Sequence, residues 1–172
     1  ASCVAFVDLL ARLLRLPAPP TSDWIIATFV ATARQVCTDQ PYRARGGRFT
    51  EREGSFPDYL EFVLDQAARN DWSTREACAA WSSGAYLLET VPSMLWILAR
   101  HAHDPEEAIV RAVNDTQDND TIATLVGAAV GALHGKEALP LAWQHGLLGR
   151  TTADDNGRVF RLIEEAVRRD WL

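Results

Sequence analysis

The stretch AVNDTQDNDTIATLVGAAVGALHG, residues 112–135, changes character halfway along its length. Acidic and amide side chains crowd between Asn114 and Asp120, and small and apolar residues follow them directly. The apolar half carries glycine at every fourth position, which places the glycines on one face of a helix: Gly127, Gly131 and Gly135. The stretch therefore predicts a turn rich in oxygen donors that leads into a helix of small residues.

Two of these glycines lie inside the predicted helix. A glycine there costs about 1 kcal/mol relative to alanine, and close approach of a second helix is the usual reason to accept that cost. We therefore predict that Gly127 and Gly131 permit tight helix packing and that Gly135 ends the helix as its C-cap. The same reasoning predicts that this helix is central in the fold.

The acids before the helix have two interpretations. Asp118, Asp120 and Thr121 offer hard oxygen donors, which suit Mg²⁺, Mn²⁺ or Ca²⁺ rather than zinc. Alternatively, Asp120 caps the helix and the other acids are solvated. An EF-hand is excluded, because its glycine and its closing glutamate are not in place. A central helix would carry the acids into the protein, which favours the metal site, while its dipole favours an anionic substrate group nearby.

Most other segments also carry helical signals. Ser73–Glu76, with the sequence STRE, predicts a capping box, and Asp104–Glu107, with the sequence DPEE, predicts another helix start. Residues 38–55 are polar and contain glycines, so we expect an exposed loop there. No strand alternation competes with these patterns. The sequence therefore predicts an all-α fold, a compact bundle of several helices.

Composition narrows the class of protein. The 172 residues suit one domain or a piece of one, and the net charge of −6 argues against direct binding of nucleic acid. The apolar runs are too short to span a bilayer, which predicts no membrane partner. The three cysteines, Cys3, Cys37 and Cys78, form neither a disulfide framework nor a zinc motif. They suit a reducing compartment, and we expect a cytoplasmic protein.

Residues 114–135 resemble the second metal-binding signature of the ADP-ribosylglycohydrolases, the family of dinitrogenase reductase-activating glycohydrolase. That signature usually has two glycines, then Asp-Thr-Asp-Thr, then a helix of small residues with repeated glycines. Here Thr116 and Gln117 replace the glycine pair, and Asn119 replaces the first threonine. The resemblance continues through GAYLLETVP upstream and LPLAWQHGLLGRT downstream, and it is best over residues 84–150.

The resemblance implies an all-α bundle that holds two Mg²⁺ or Mn²⁺ ions. It assigns metal binding to Asp118, Asp120 and Thr121, and approach to ADP-ribose to Gly84, Ala85 and Tyr86. Glu89, in the matched LETVP segment, is either a buried polar anchor or a residue of the site. The implied activity is metal-dependent hydrolysis at the anomeric carbon of ADP-ribose conjugates, that is, de-ADP-ribosylation.

The family's other metal motif, Thr-Asp-Asp-Thr, does not occur in this sequence. The nearest strings, TSDW at 21–24 and TADD at 152–155, fit neither its sequence nor its position. We therefore expect residues 1–172 to be the C-terminal portion of a single family domain. The catalytic acid/base would lie in the missing N-terminal portion, and this chain by itself would be inactive. The expected partners are an ADP-ribose conjugate, such as an ADP-ribosylated protein, and an N-terminal fragment of the same protein. The alternative is a non-catalytic relative that binds ADP-ribose or serves as a structural or interaction protein.

Overall fold

The computed structural model describes residues 1–38, 40–148 and 158–169. The TADD string and the last two residues of the best-matching region, 149–150, lie outside these ranges. The chain divides into two compact units, Ala1–Ala138 and Leu139–Leu172. Helices dominate both units, and this confirms the predicted all-α fold.

The first unit contains the helices that build the site discussed below. They are α1 (Ser2–Leu13), α2 (Ser22–Val36), α3 (Phe56–Arg69), α4 (Thr74–Trp81), α5 (Leu87–His101), α6 (Pro105–Asp115) and α7 (Asn119–His134), followed by a 3₁₀ turn, Lys136–Ala138. The second unit contains α8 (Leu141–Leu148) and α9 (Arg158–Arg168). Among the residues described, no helix is both long enough and apolar enough to cross a membrane.

Polar side chains define where several helices begin. Ser73 accepts a hydrogen bond from the backbone of Glu76, and the Glu76 carboxylate accepts one from the Ser73 backbone at 2.9 Å, so the predicted capping box is confirmed. Asp104 caps α6 as predicted, through the Glu107 backbone N–H at 3.0 Å. These caps satisfy amide groups that have no partner within the helix.

The segment expected to be an exposed loop is partly ordered against the core. Its ends form a small antiparallel ladder, β1 (Tyr42–Arg43) and β2 (Glu53–Gly54), with Tyr42 opposite Gly54. Between the strands, Phe49 packs edge-on against Phe62 of α3, with ring centroids 5.5 Å apart. The apolar side chains of this segment are too widely spaced to show the alternation typical of a strand, so no strand was predicted here.

The central helix of the first unit is α5, and the prediction that α7 is central was wrong. Every residue of α5 from Val91 to Ala99 is buried, and α2, α3, α4, α6 and α7 pack around it. Helix α7 buries one face, while Thr124 and Ala128 on the other face are exposed. The core is therefore organised around a continuous apolar run rather than around the helix with the smallest residues.

Of the three glycines in the stretch 112–135, only Gly135 has the role that was expected. Gly135 is the C-cap with φ of +76°, as predicted. A Cβ on Gly127 would meet Ile109 at an ordinary 3.9 Å, and one on Gly131 would meet no described atom within 4 Å. The prediction of tight packing at these two positions was therefore wrong. Both are half-buried, and the described atoms leave room for a side chain at each.

Candidate functional site

A cleft of about 500 Å³ lies among α1, α2, α5 and α7 of the first unit. Most of its wall is apolar, and the side chains that form it include Phe6, Phe29, Leu87, Val91, Met94 and Leu125. Polar side chains enter the wall from Ser2 at the start of α1, from Tyr86 and Thr90 around the start of α5, and from Asp118 and Thr121 around the start of α7. An apolar cleft with a few converging polar groups is the usual form of a small-molecule site.

The cleft brings together four of the six residues singled out in the sequence. Ala85 and Tyr86 contribute from the loop before α5, and Asp118 and Thr121 contribute from the start of α7. These two pairs are more than thirty positions apart in the sequence. Gly84 and Asp120 are not among the residues that line the cleft.

Asp118 is the partly buried acid of the cleft. It is the N-cap of α7, although its side chain makes no capping hydrogen bond. Its Oδ2 atom is buried and has no hydrogen-bond partner among the described residues. A buried carboxylate oxygen without a donor is costly, and a bound cation would compensate that cost. The surroundings of Asp118 therefore fit a metal ligand.

Asp120 occupies a different environment. It is exposed in the first turn of α7, so the alternative that Asp120 is the N-cap of this helix was wrong. Its Oδ1 atom accepts a hydrogen bond from the Thr121 backbone at 2.8 Å, and its carbonyl accepts one from the Thr124 hydroxyl at 2.7 Å. The helix begins two residues earlier than a cap at Asp120 would place it.

The acid cluster does not form a complete cation cage from side chains of the described residues. No group of three or more His, Cys, Asp or Glu side chains in the described ranges is placed to hold a metal ion. Asp118, Asp120 and the Thr121 hydroxyl are hard donors, but Mg²⁺ and Mn²⁺ prefer about six oxygen ligands. The remaining ligands would have to come from water, from the substrate or from other protein groups.

Ser83 connects the two polar parts of the site, and sequence reasoning missed it. It is only 2% exposed. Its carbonyl accepts hydrogen bonds from the backbone of Asp118 at 2.9 Å and of Gln117 at 3.2 Å, and its hydroxyl accepts from the Gln117 backbone at 3.0 Å. Nothing in the sequence indicated this role, because the contacts join segments 34 positions apart.

Three helices, α1, α5 and α7, begin at the cleft without a side-chain cap from the N-cap residue. Helices α2, α3, α4 and α6 each have a side chain that accepts from a first-turn amide. Neither Tyr86, the N-cap of α5, nor Asp118, the N-cap of α7, does so. The Asp120 carboxylate already accepts one first-turn amide of α7, that of Thr121. The remaining first-turn amides and the positive end of the helix dipole favour a negatively charged group of a ligand.

The loop before α5 is braced by a second segment. The Tyr86 hydroxyl donates to the Arg43 carbonyl at 3.3 Å, and the Arg45 guanidinium lies 4.0 Å from the centre of the Tyr86 ring. A cation over an aromatic face is attracted by the ring quadrupole. Tyr86 is therefore held in place on the side of the β1–β2 segment.

Behind this loop lies Glu89, which the structure places as a buried anchor. It is 7% exposed, and burial raises the pKa of its carboxyl group, while a hydrogen bond from the Gly84 backbone and the charge of Arg45 oppose that rise. The buried Tyr59 hydroxyl is nearby and has no hydrogen-bond partner in the described structure. Burial, together with the charge of Glu89, raises the pKa of Tyr59 to about 12.

Comparison with known proteins identifies the family. A model of the ADP-ribosylglycohydrolase family matches residues 1–170, a wider region than the one in which the signature was recognised. A curated relative named ADP-ribosylhydrolase ARH3 from Xenopus tropicalis is 26% identical over 134 residues, which cover 72% of this chain and 38% of the relative. The proteins of the same name from Homo sapiens and Bos taurus are 30% identical over 103 residues and 22% identical over 161 residues.

These alignments cover only part of the relatives. The human protein is matched over 27% of its length and the bovine protein over 44%, so the chain spans less than half of each curated relative. No solved structure matches the chain. The match to the family model nevertheless extends over nearly all of the sequence. The chain belongs to the ADP-ribosylglycohydrolase family.

Proposed function

We propose that the protein to which this chain belongs hydrolyses the glycosidic bond at the anomeric carbon of ADP-ribose conjugates. The observation that carries the proposal is the placement of Asp118, with its buried and unpartnered oxygen, in the same cleft as Ala85, Tyr86 and Thr121. The curated relatives are named ADP-ribosylhydrolases, which supports this activity for the family member described here.

The cleft suits the separate parts of ADP-ribose. The apolar wall, which includes Phe6 and Met94, would bury an aromatic base, and the uncapped starts of α5 and α7 would attract the diphosphate. Asp118 would then lie near the ribose that carries the bond to be broken. We propose that Ala85 and Tyr86 contact the nucleotide directly. Gly84 does not line the cleft, and we propose that it supports these two residues from the adjacent position.

Asp118, Asp120 and Thr121 would hold Mg²⁺ or Mn²⁺, with two ions in the complete site. When bound, the ions would polarise ribose hydroxyls and orient the attacking water. The chain's own part is to fix the ligands, because the Ser83 carbonyl holds the Asp118 backbone. Cleavage of a glycosidic bond passes through an oxocarbenium-like state, which a nearby carboxylate stabilises.

The second candidate is ADP-ribose binding without hydrolysis by this chain alone. Asp118 is the single carboxylate among the residues that line the cleft in the described structure, whereas glycoside hydrolysis generally uses a pair. We therefore propose that the acid/base carboxylate comes from outside residues 1–172. The isolated chain should bind free ADP-ribose weakly in calorimetry and should release none from a conjugate.

The test of the proposed activity is release of ADP-ribose from an ADP-ribosylated protein by the natural full-length enzyme. We expect release with Mg²⁺ or Mn²⁺ and none after chelation of the metal. Recovery after the metal is added back would separate metal dependence from loss of the protein. Equal release with and without the chelator would contradict the metal assignment, and no release under any condition would contradict the activity.

A further inference from the structure

Two glycine-bearing loops converge on the carboxylate of Glu89 in the first turn of α5. A Cβ on Gly84 would lie 2.5 Å from Glu89 Oε2, and a Cβ on Gly46 would lie 3.5 Å from Oε1. Each oxygen of this carboxylate therefore packs against a different loop. The carboxylate occupies the space that a side chain at position 84 would need. Glycine is therefore required there whether or not a ligand binds.

The start of α5 holds the Gly84 peptide from both sides. The Gly84 backbone interacts favourably with the charged form of the Glu89 carboxylate, and the Thr90 hydroxyl donates to the Gly84 carbonyl at 2.9 Å. The preceding residue, Ser83, accepts the Asp118 N–H at 2.9 Å. A continuous series of polar contacts thus runs from Glu89 and Thr90 through Gly84 and Ser83 to the backbone of Asp118.

The second loop reaches the cleft through Tyr86. Arg45, next to Gly46, stacks on the Tyr86 ring, and its positive charge also acts on the Glu89 carboxylate. The Arg43 carbonyl accepts a hydrogen bond from the Tyr86 hydroxyl. Glu89 therefore interacts both with Gly84 and with Arg45, the two groups that hold the Gly84–Tyr86 loop. It does not itself line the cleft.

A purely structural role would not require a charged group at this position. Burying a carboxylate is costly, and an apolar side chain of similar size usually fills such a space at lower cost. A carboxylate offers something that an apolar group lacks, namely an acceptor for the Gly84 N–H. The buried Glu89 carboxylate therefore contributes more to the position of the Gly84–Tyr86 loop than to the stability of the core.

We propose that Glu89 is a positioning residue for the ADP-ribose cleft: its carboxylate holds the Gly84–Tyr86 backbone where the nucleotide binds. This inference rests on the proposed function. Its test is the steady-state kinetics of the natural full-length enzyme, with calorimetric titration of free ADP-ribose as the probe of binding. The variants are Glu89→Leu, Glu89→Gln and Thr90→Val, and the control is Thr74→Val.

Each variant has a distinct expected result. Glu89→Leu removes the acceptor, and loss of one buried hydrogen bond at the loop should raise KM and the Kd for ADP-ribose roughly tenfold, with kcat changed less than about threefold. Glu89→Gln restores an acceptor oxygen and should return KM to within about threefold of the wild type. Thr90→Val frees the Gly84 carbonyl and should raise KM by about threefold or more.

Thr74→Val is the control, because Thr74 starts α4 and contacts His101 at the far end of α5. It removes a buried hydroxyl contact, 3.0 Å from the His101 ring, that is remote from the cleft. It should lower the melting temperature without changing KM. If Glu89→Leu does not fold, Thr90→Val and Glu89→Gln decide the matter.

Three results would overturn the proposal: a wild-type KM in Glu89→Leu or in Thr90→Val, no rescue by Glu89→Gln, or an equal rise in KM in Thr74→Val. A wild-type enzyme that neither binds ADP-ribose nor cleaves its conjugates would instead contradict the proposed function. The two failures are therefore distinguishable.

Discussion

The backbone N–H of Asp118 donates a hydrogen bond to the carbonyl of Ser83 across 2.9 Å, and this contact joins the two polar parts of the cleft. Asp118 starts α7, and Ser83 belongs to the loop that leads into α5. The candidate metal ligand is thus tied to the loop that would receive ADP-ribose. A substitution that shifts the loop before α5 should therefore also shift the start of α7, and the reverse should hold as well.

Ser83→Ala tests this connection. The substitution removes the hydroxyl that accepts the Gln117 N–H at 3.0 Å but keeps the carbonyl that accepts Asp118. We expect the free energy of unfolding to fall by about 1 kcal/mol, because Gln117 retains its weaker bond to the carbonyl. Urea denaturation of the 172-residue chain measures this. An unchanged midpoint would show that the hydroxyl contributes nothing to the turn.

Gly47→Ala and Gly131→Ala should change stability in opposite directions. Gly47 has φ of +75°, and a Cβ there would lie 2.4 Å from the Ala80 carbonyl oxygen, so alanine should cost about 2–4 kcal/mol. Gly131 is helical and has no described atom within 4 Å of its Cβ position. Alanine there should stabilise the chain by about 0.5–1 kcal/mol. Thermal denaturation measures both, and destabilisation by Gly131→Ala would restore the packing role that the sequence suggested.

The pH dependence of stability should reveal the buried state of Glu89. Burial raises the pKa of its carboxyl group in the folded protein. The folded state therefore binds this proton more tightly than the unfolded chain does, so the associated stabilisation is complete below the unfolded pKa and is lost as pH rises through the folded pKa.

Glu89→Gln cannot lose that proton. The stability of Glu89→Gln relative to the wild type should therefore be greater at pH 7.5 than at pH 4. These two pH values are chosen because the ordinary glutamate pKa is about 4.3 and the pKa of Glu89 is raised above it. Denaturant titrations at both pH values measure the difference. A difference that is independent of pH, or larger at pH 4, would contradict a raised pKa.

The parts of this structure that sequence reasoning predicted depend on local signals. The capping box at Ser73 and Glu76 and the C-cap at Gly135 involve residues within one helical turn, and both were confirmed. The match of the acid cluster to a family signature also needed only adjacent residues. The family assignment followed from it and was confirmed over residues 1–170.

The parts that could not be predicted depend on contacts between distant segments. The support of Asp118 by Ser83, and the crowding of Gly84 by Glu89, appear only after α5 has packed against α7. The spacing of Gly127 and Gly131 indicated close packing, but spacing does not say whether a neighbour is present on that face. For the same reason, α5 and not α7 proved to be the central helix.

Asp118→Asn should separate function from stability. Asparagine keeps the size of the side chain but removes the charge of a buried oxygen that has no described hydrogen-bond partner. The metal-free variant should be as stable as the wild type or more stable by about 1 kcal/mol, because the unpartnered buried oxygen then belongs to a neutral amide. Denaturation in the presence of a chelator measures this. A large loss of stability would show that Asp118 has a structural partner.

The most direct test of the account is ADP-ribose release by the full-length enzyme with Mn²⁺, compared between Asp118→Asn and Asp115→Asn. Asp115 is a nearby acid at the end of α6 that pairs with Arg111 at 3.3 Å and does not line the cleft. We predict that Asp118→Asn lowers kcat at least about a hundredfold, as expected when a group that stabilises transition-state charge is lost, and that Asp115→Asn changes it less than about threefold. Near-normal turnover by Asp118→Asn would contradict the assignment of this cleft as the active site.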